Sequence, residues 1–119
     1  MDFIGHLTKF LWKNCPYLHE KNTYEDLRRA VESHVRYNTI VYAADDKGLT
    51  GVCRFNIFDG GAYILDVAVR KDLRGGNIFK ELLETGLRFF PDVKVLKFNS
   101  IKKKREFTIP VGLILAKEK

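Results

Sequence analysis

The first third of the chain carries apolar side chains with the 3.6-residue period of a helix. A first helix is predicted from about Asp2 to Asn14, ended by Pro16, and a second begins at Asn22 or Thr23. The apolar positions are Phe3, Leu7, Phe10 and Leu11 in the first helix, and Leu27, Ala30, Val31, His34 and Val35 in the second. Each helix therefore has one face that can pack against the rest of the chain.

From residue 39 the pattern changes to short apolar runs separated by turn sequences, which is typical of β-strands. Turns are predicted at Asp45–Gly48 and Asp59–Gly61. One run is apolar at nearly every position, as in a central strand covered on both faces, and Asp66 is its only charged residue. A third helix is predicted over residues 77–90. The predicted strands cover residues 39–44, 50–58, 62–69, 93–99 and 107–115.

This order of elements predicts an α+β fold with a mixed, mostly antiparallel sheet and helices on both of its faces. Strands joined by short turns pair antiparallel, whereas a strand–helix–strand unit favours a parallel pair. The 119 residues are 45% hydrophobic, enough for one core, so we expect a single domain over residues 1–119. Every apolar stretch is far shorter than the roughly 20 residues of a membrane span, which predicts no membrane insertion.

The cysteines and histidines predict no special chemistry. Cys15 and Cys53 are too few for a disulfide framework and have no adjacent histidine, so we do not expect a cysteine nucleophile. His6, His19 and His34 are scattered without the spacing of metal ligands, so no metal site is expected. A reducing, cytoplasmic setting is the simplest interpretation.

The formal net charge of +6 lies entirely in the last quarter of the chain. Residues 1–92 carry 13 basic and 13 acidic side chains, whereas residues 93–119 carry eight basic and two acidic ones. Half of those eight form one tract, which consists of Lys102, Lys103, Lys104 and Arg105. Such a tract attracts negatively charged partners, which predicts binding of nucleic acid or of an acidic protein. A solvated turn is the alternative.

The strongest candidate for chemistry is the loop between the 62–69 strand and the third helix. Arg74, Gly75 and Gly76 lie in this loop, and glycines let the backbone approach an anion closely. The N–H groups and the dipole of a helix N-terminus favour a phosphate there. The alternative is a tight connection in which the glycines serve packing. Neither the Walker pattern nor the dinucleotide-binding glycine pattern occurs.

The sequence VRKDLRGGNIFKELLETGL resembles motif A of the GNAT family of acyl-CoA-dependent N-acetyltransferases. In that motif a strand is followed by Arg/Gln-x-x-Gly-x-Gly/Ala at the start of a helix. The order of elements over about residues 1–100 is similar as well. The resemblance implies a GNAT-like fold, truncated at its C-terminal end, that binds acetyl-CoA and acetylates an amine. It assigns the pantetheine arm and the pyrophosphate to Val67, Ala68, Val69, Arg74, Gly75, Gly76, Asn77, Ile78, Phe79 and Lys80.

Some features depart from the pattern of that family. Asn77 and Phe79 stand where glycine or alanine is usual. Asn77 is expected to tolerate a positive φ, and the Phe79 ring lies either against the approaching pyrophosphate or in the core. The basic tract stands where the family has a helix with a tyrosine general acid, and no tyrosine follows Tyr63.

The chain therefore resembles a shortened member of the family, similar to compact GNAT-like proteins encoded by bacteriophages. Two interpretations follow from this. The protein is either an N-acetyltransferase or a catalytically degenerate interaction or structural protein, viral in origin and located in the virion. A nucleic-acid-binding module that uses the basic tract is a third interpretation, without a recognition motif to support it.

Asp66 is the candidate catalytic base, because acetyl transfer requires an amine without its extra proton. The carboxylate would act directly or through water. The alternative is a buried polar residue satisfied by a neighbouring backbone group. Tyr63, on the same strand, either faces the substrate or packs in the core.

Overall fold

A computed structural model describes residues 2–100 and 105–115 of the chain. The helices are α1 (Phe3–Asn14), α2 (Tyr24–Arg36), α3 (Ile78–Leu87) and the short α4 (Val111–Leu115). The strands are β1 (Ile40–Asp45), β2 (Gly48–Phe58), β3 (Gly61–Val69), β4 (Val95–Ser100) and β5 (Arg105–Pro110). Single 3₁₀ turns at Pro16–Glu20 and Lys71–Leu73 precede α2 and α3.

Within the described residues, the strands form one sheet in the order β1-β2-β3-β4-β5. Neighbouring strands are antiparallel except β3 and β4, which are parallel and joined through α3. The prediction of a mixed, mostly antiparallel sheet is therefore confirmed. The parallel pair follows from the helix between its strands, since a helical crossover returns the chain in the same direction.

Two separate apolar clusters cover the two faces of the sheet. Against one face, α3 packs with residues that include Phe55, Ile64, Leu82, Leu87 and Leu96. Against the other, α1 and α2 pack with residues that include Leu7, Leu11, Leu27, Val31 and Val52. Removing one such leucine side chain typically costs about 2–5 kcal/mol, so each cluster holds its helices firmly on the sheet.

Polar caps define the starts of the first two helices as the sequence predicts. Asp2 accepts a hydrogen bond from the Gly5 amide at 2.9 Å and forms an ion pair with Arg28 of α2 at 3.1 Å, which lowers the pKa of the Asp2 carboxyl. Thr23, rather than Asn22, is the N-cap of α2 and forms a capping box with Asp26.

The end of the chain differs from the prediction of a strand over residues 107–115. The last strand ends at Pro110, which lies opposite Val95, the first residue of β4. Because the partner strand begins there, only one more backbone bond follows within the described residues, from the Val111 amide to the Lys94 carbonyl at 2.8 Å, and residues 111–115 form α4 instead. In the basic tract, Arg105 begins β5, whereas Lys102, Lys103 and Lys104 lie outside the described residues.

Candidate functional site

The parallel pair of strands separates partway along its length. In the described residues, β3 and β4 are paired from Gly61 to Ile64, which face Val95 to Phe98. β3 continues to Val69 beside β2, while the edge that faces β4 is left open. The sheet therefore contains a wedge-shaped gap in its middle.

A β-bulge lies at the point of separation. Arg54 of β2 faces Asp66, but the next residue, Phe55, faces Ile64, so Leu65 is an extra residue without an opposite partner in β2. The bulge reverses the alternation of side chains: Ile64 belongs to the core under α3, whereas Asp66 faces Arg54 on the side of α1 and α2. Bulges bend and twist a strand, which accounts for the divergence of β3 from β4 here.

Backbone polar groups of β3 point into the gap. The Arg70 amide donates to the Thr50 carbonyl at 2.8 Å. Since hydrogen-bonded and non-hydrogen-bonded pairs alternate in an antiparallel ladder, the N–H and C=O groups of Val67 and Val69 face away from β2. The alternation turns the backbone of Ala68, which lies between them, toward β2.

Side chains from elsewhere already contact these open-edge carbonyls. The Arg74 Nε donates to the Val69 oxygen at 2.9 Å, and the Arg74 Nη2 donates to the Asn14 Oδ1 at 3.3 Å. The Cys15 Sγ lies 3.9 Å from the Val67 oxygen. The open edge is thus accessible to hydrogen-bond donors from outside the sheet.

A cleft of about 730 Å³ lies along this open edge. It lies between the 3₁₀ turn after α1, the gap between β3 and β4, and the start of α3. Its lining includes Tyr17, Lys21, Tyr63, Leu65, Asp66, Val67, Phe79, Phe98 and Asn99. Of the predicted site residues, Asp66, Val67 and Phe79 line the cleft. The others are not part of its lining, namely Ala68, Val69, Arg74, Gly75, Gly76, Asn77, Ile78 and Lys80.

The loop before α3 leaves open space around its glycine turn. Gly75 has φ +89°, a conformation that favours glycine, and a Cβ at this position would meet nothing within 4 Å. Asn77 is the N-cap residue, but its side chain makes no capping bond within the described chain. The Asn77 side chain therefore does not cap the amides in the first turn of α3. A phosphate bound at this helix N-terminus would need those amides as hydrogen-bond donors.

The structure decides the backbone conformation of Asn77 and the position of the Phe79 ring. Asn77 has φ −96°, so it does not use the positive φ expected of it; that conformation belongs to Gly75. Phe79 is 42% exposed and lines the cleft, so its ring is not in the core.

Asp66, the candidate base, is held by a buried ion pair. Its side chain is only 1% exposed, and Arg54 contacts both carboxylate oxygens, with Nε at 3.1 Å from Oδ1 and Nη2 at 2.5 Å from Oδ2. The partner is thus a guanidinium and not a backbone group. Arg54 was not among the predicted site residues, although a charged residue inside the apolar strand β2 was the available signal.

The cysteines lie in surroundings that keep them protonated. Burial raises the pKa of the Cys15 thiol to about 11 and also raises the pKa of Cys53. A thiol is a poor nucleophile compared with its thiolate, so neither group is activated. Burial, and next the charge of Asp66, likewise raise the pKa of the Tyr17 phenol, a cleft residue that the sequence analysis did not identify.

Tyr63 and Asn99 meet across the point where β3 and β4 diverge. The Asn99 Nδ2 donates a hydrogen bond to the Tyr63 hydroxyl, and both residues line the cleft. Of the two roles open to Tyr63, the structure places its side chain on the cleft side.

Neither a cluster of metal-ligand side chains nor a membrane-spanning helix occurs in the described part of the chain. Across residues 2–100 and 105–115, no three residues among His, Cys, Asp and Glu come together as a possible metal site. Among the same residues, no helix has the length and apolar character needed to cross a membrane.

Residues 5–103 match the model of the acetyltransferase (GNAT) family. The fold is similar to the ribosomal-protein-alanine N-acetyltransferase from Brucella melitensis, with a TM-score of 0.57 and 18% identity over 82% of this chain and 67% of that one. It is also similar to the PaiA N-acetyltransferase from Thermoplasma acidophilum in complex with coenzyme A, with a TM-score of 0.61 and 16% identity over 97% and 78%. None of the curated proteins matches the sequence.

Proposed function

Because the chain belongs to the acetyltransferase (GNAT) family, we propose that it binds an acyl-CoA in the cleft beside β3 and transfers the acyl group to an amine. Acetyl-CoA is the simplest donor. The observation that carries this proposal is the open edge of β3, where Val67 and Val69 direct backbone groups into the gap.

The pantetheine arm of CoA contains amide groups that suit such an edge. An extended chain that adds to an exposed strand gains main-chain hydrogen bonds, as a further strand would. Val67 and Val69 would make these bonds. The Arg74 side chain donates a hydrogen bond to the Val69 carbonyl in the structure. Binding of the pantetheine arm would break this bond, and the Val69 carbonyl would accept a hydrogen bond from the ligand instead.

The pyrophosphate would lie at the loop before α3. The turn at Gly75 faces open space, and the first-turn amides of α3 and the positive end of its dipole would stabilise the negative charge. The Arg74 guanidinium, released from Val69, would add a charge-assisted hydrogen bond. The residues present therefore fit the ligand.

At the other end of the open edge, the bulge lies where the acyl group would be. Leu65, the extra residue of this bulge, lines the cleft there. Asp66 remains the proposed base for the amine, acting through water, since Arg54 binds both of its oxygens. The rest of the cleft holds the acceptor and excludes part of the solvent.

The acceptor amine is suggested only by the fold neighbours. One of them is named for the alanine of ribosomal proteins. A short peptide with an N-terminal alanine is therefore a suitable first acceptor to test. A peptide with a blocked N-terminus and one lysine tests the side-chain amine of lysine as the acceptor.

A second candidate function is a GNAT-like interaction protein without catalysis. Two observations favour it: the exposed ring of Phe79 at the start of α3, and the neutralisation of Asp66 by Arg54. This candidate predicts a folded protein that releases no CoA from acetyl-CoA with either peptide.

Calorimetric titration with CoA and acetyl-CoA tests the binding part of the proposal. Gly75→Asp places a negative charge in the loop and should abolish binding. Gly60→Asp is the matched control, because Gly60 also has a positive φ and open space around it but lies in the β2–β3 turn. A ligand at a hundredfold excess over Kd should stabilise the wild-type fold by about 2.7 kcal/mol. Equal affinities in all three proteins, or an unchanged melting temperature in millimolar CoA, would overturn the proposal.

A further inference from the structure

The expulsion of a thiolate requires a proton donor, and the sequence has no tyrosine after Tyr63. Within the described chain, the phenols that line the cleft are Tyr17 and Tyr63. Both are therefore candidates for the proton donor, and their surroundings differ.

On the basis of the proposed function, we propose that Tyr63 is the catalytic residue that protonates the departing thiolate, and that Asn99 is its positioning residue. Tyr63 lies two residues before the bulge at Leu65, on the part of β3 that is still paired with β4. It therefore faces the end of the cleft where an acyl group bound along the open edge would lie.

The hydrogen bond from Asn99 prepares the phenol for this role. Tyr63 faces Lys97 in the parallel register, and Asn99 follows two residues later on the same face of β4. Its amide donates to the phenolic oxygen, which leaves the phenolic proton free to be donated into the cleft. A donor to that oxygen also stabilises the phenolate that remains after proton transfer.

Tyr17 lacks such support. Its hydroxyl lies near Asp66 and Cys15, and burial together with the negative charge of Asp66 raises its pKa. A phenolate at this position would be repelled by the carboxylate. Tyr17 therefore serves as the matched comparison, because it is the other phenol that lines the same cleft.

The proposed step balances without a further reactant. The amine nitrogen forms a bond to the acyl carbon, the carbon–sulfur bond breaks, and its electron pair leaves with the sulfur. Tyr63 gives its proton to that sulfur, so CoA leaves as a thiol. Asp66 takes up the proton lost by the amine nitrogen through water, and this proton then passes through water in the cleft to the Tyr63 phenolate, which restores both side chains.

Tyr63→Phe and Tyr17→Phe test the assignment in the full-length protein. We expect Tyr63→Phe to lower kcat for release of CoA from acetyl-CoA, with the alanine peptide as acceptor, by about 10²–10⁴-fold. Calorimetric affinity for CoA should stay unchanged, because the phenol does not hold the ligand. Tyr17→Phe should lower kcat far less than Tyr63→Phe does. Nearly full turnover in Tyr63→Phe, or an equal loss in both variants, would overturn the assignment.

Asn99→Leu separates a positioning role from packing through the split between kcat and KM. If Asn99 acts through the Tyr63 phenol, Asn99→Leu should lower kcat with KM unchanged, and the double variant Tyr63→Phe, Asn99→Leu should be no slower than Tyr63→Phe alone. A full wild-type kcat in Asn99→Leu, or losses that add in the double variant, would overturn the role of Asn99. A wild-type protein that binds CoA but transfers no acetyl group would instead refute the proposed function, and the inference with it.

Discussion

Arg54 and Asp66 form an ion pair beneath the cleft, with the guanidinium in contact with both carboxylate oxygens. The two residues face each other across β2 and β3, and their side chains are 9% and 1% exposed. Taking two charges out of water is costly, and their mutual attraction offsets that cost only while both are present. The pair therefore ties the residue next to the bulge to the neighbouring strand.

Asp66→Asn should destabilise the protein by roughly 3–5 kcal/mol, because it leaves the Arg54 charge buried without a counterion. Urea unfolding of the variant measures this change. The double variant Arg54→Met, Asp66→Leu should recover much of the loss, since an apolar pair of similar size needs no compensation. A double variant no more stable than Asp66→Asn would contradict this account.

The same variant distinguishes the structural from the catalytic role of Asp66. If Asp66 is the base for the amine, Asp66→Asn should bind CoA normally at a temperature where it is folded, yet turn over about 10²–10⁴-fold more slowly. If activity falls only in proportion to the fraction of unfolded protein, the role of Asp66 is structural, through its ion pair with Arg54.

Arg74→Gln should weaken CoA binding by about tenfold, since a hydrogen bond to a charged group contributes about 1.5–3 kcal/mol and the lost contact to Val69 offsets part of it. Calorimetry with CoA measures the effect. Arg88→Gln is the control, because Arg88 is exposed at the opposite end of α3. An equal change in both variants would indicate a general effect of net charge instead of a contact at the loop.

Acid should destabilise the fold partly through Arg70, which forms ion pairs with Asp45 and Asp72. Hydrogen bonding from Arg70 lowers the pKa of Asp45 to about 2 and also lowers that of Asp72. A carboxyl whose pKa is lower in the folded state stabilises the fold above its unfolded value, near 4, and this contribution is lost as the pH falls toward 2.

Arg70→Met should therefore make the melting temperature less dependent on pH between about 4 and 2 than in the wild type. Thermal melts across that interval measure the difference. Arg36→Met, at the exposed end of α2, should keep the wild-type slope. Parallel curves for all three proteins would show that the ion pairs of Arg70 contribute nothing.

The basic tract provides a test of the nucleic-acid interpretation. If the tract is a solvated turn, replacement of Lys102, Lys103, Lys104 and Arg105 by Gln should change stability by no more than about 0.5 kcal/mol, because solvated charges make few contacts. If the tract binds nucleic acid, affinity for a single-stranded oligonucleotide should fall and its dependence on salt should flatten. CoA affinity is the internal control. Loss of CoA affinity alone would place the tract at a phosphate of that ligand.

The sequence alone predicted much of the fold because many of its signals are local. Helical spacing, the cap at Asp2, a cap at Asn22 or Thr23, and turns rich in glycine depend on neighbouring residues only, whereas the strand predicted over residues 107–115 was wrong beyond Pro110. The glycine loop before α3 was found in the same way. The family resemblance came from the motif around Arg74, and the match of residues 5–103 to the GNAT model confirms it.

What only the tertiary structure decided depends on pairing between distant residues. The bulge at Leu65 leaves no trace in a strand that is apolar at nearly every position, because reversing the alternation changes no local pattern. Asn99 meets Tyr63 from 36 residues away, at a place set by the parallel register. The ion partner of Asp66 likewise depended on the antiparallel register of β2 and β3. The sequence by itself therefore determined most of the elements and the loop before α3, whereas strand register decided which side chains share the cleft.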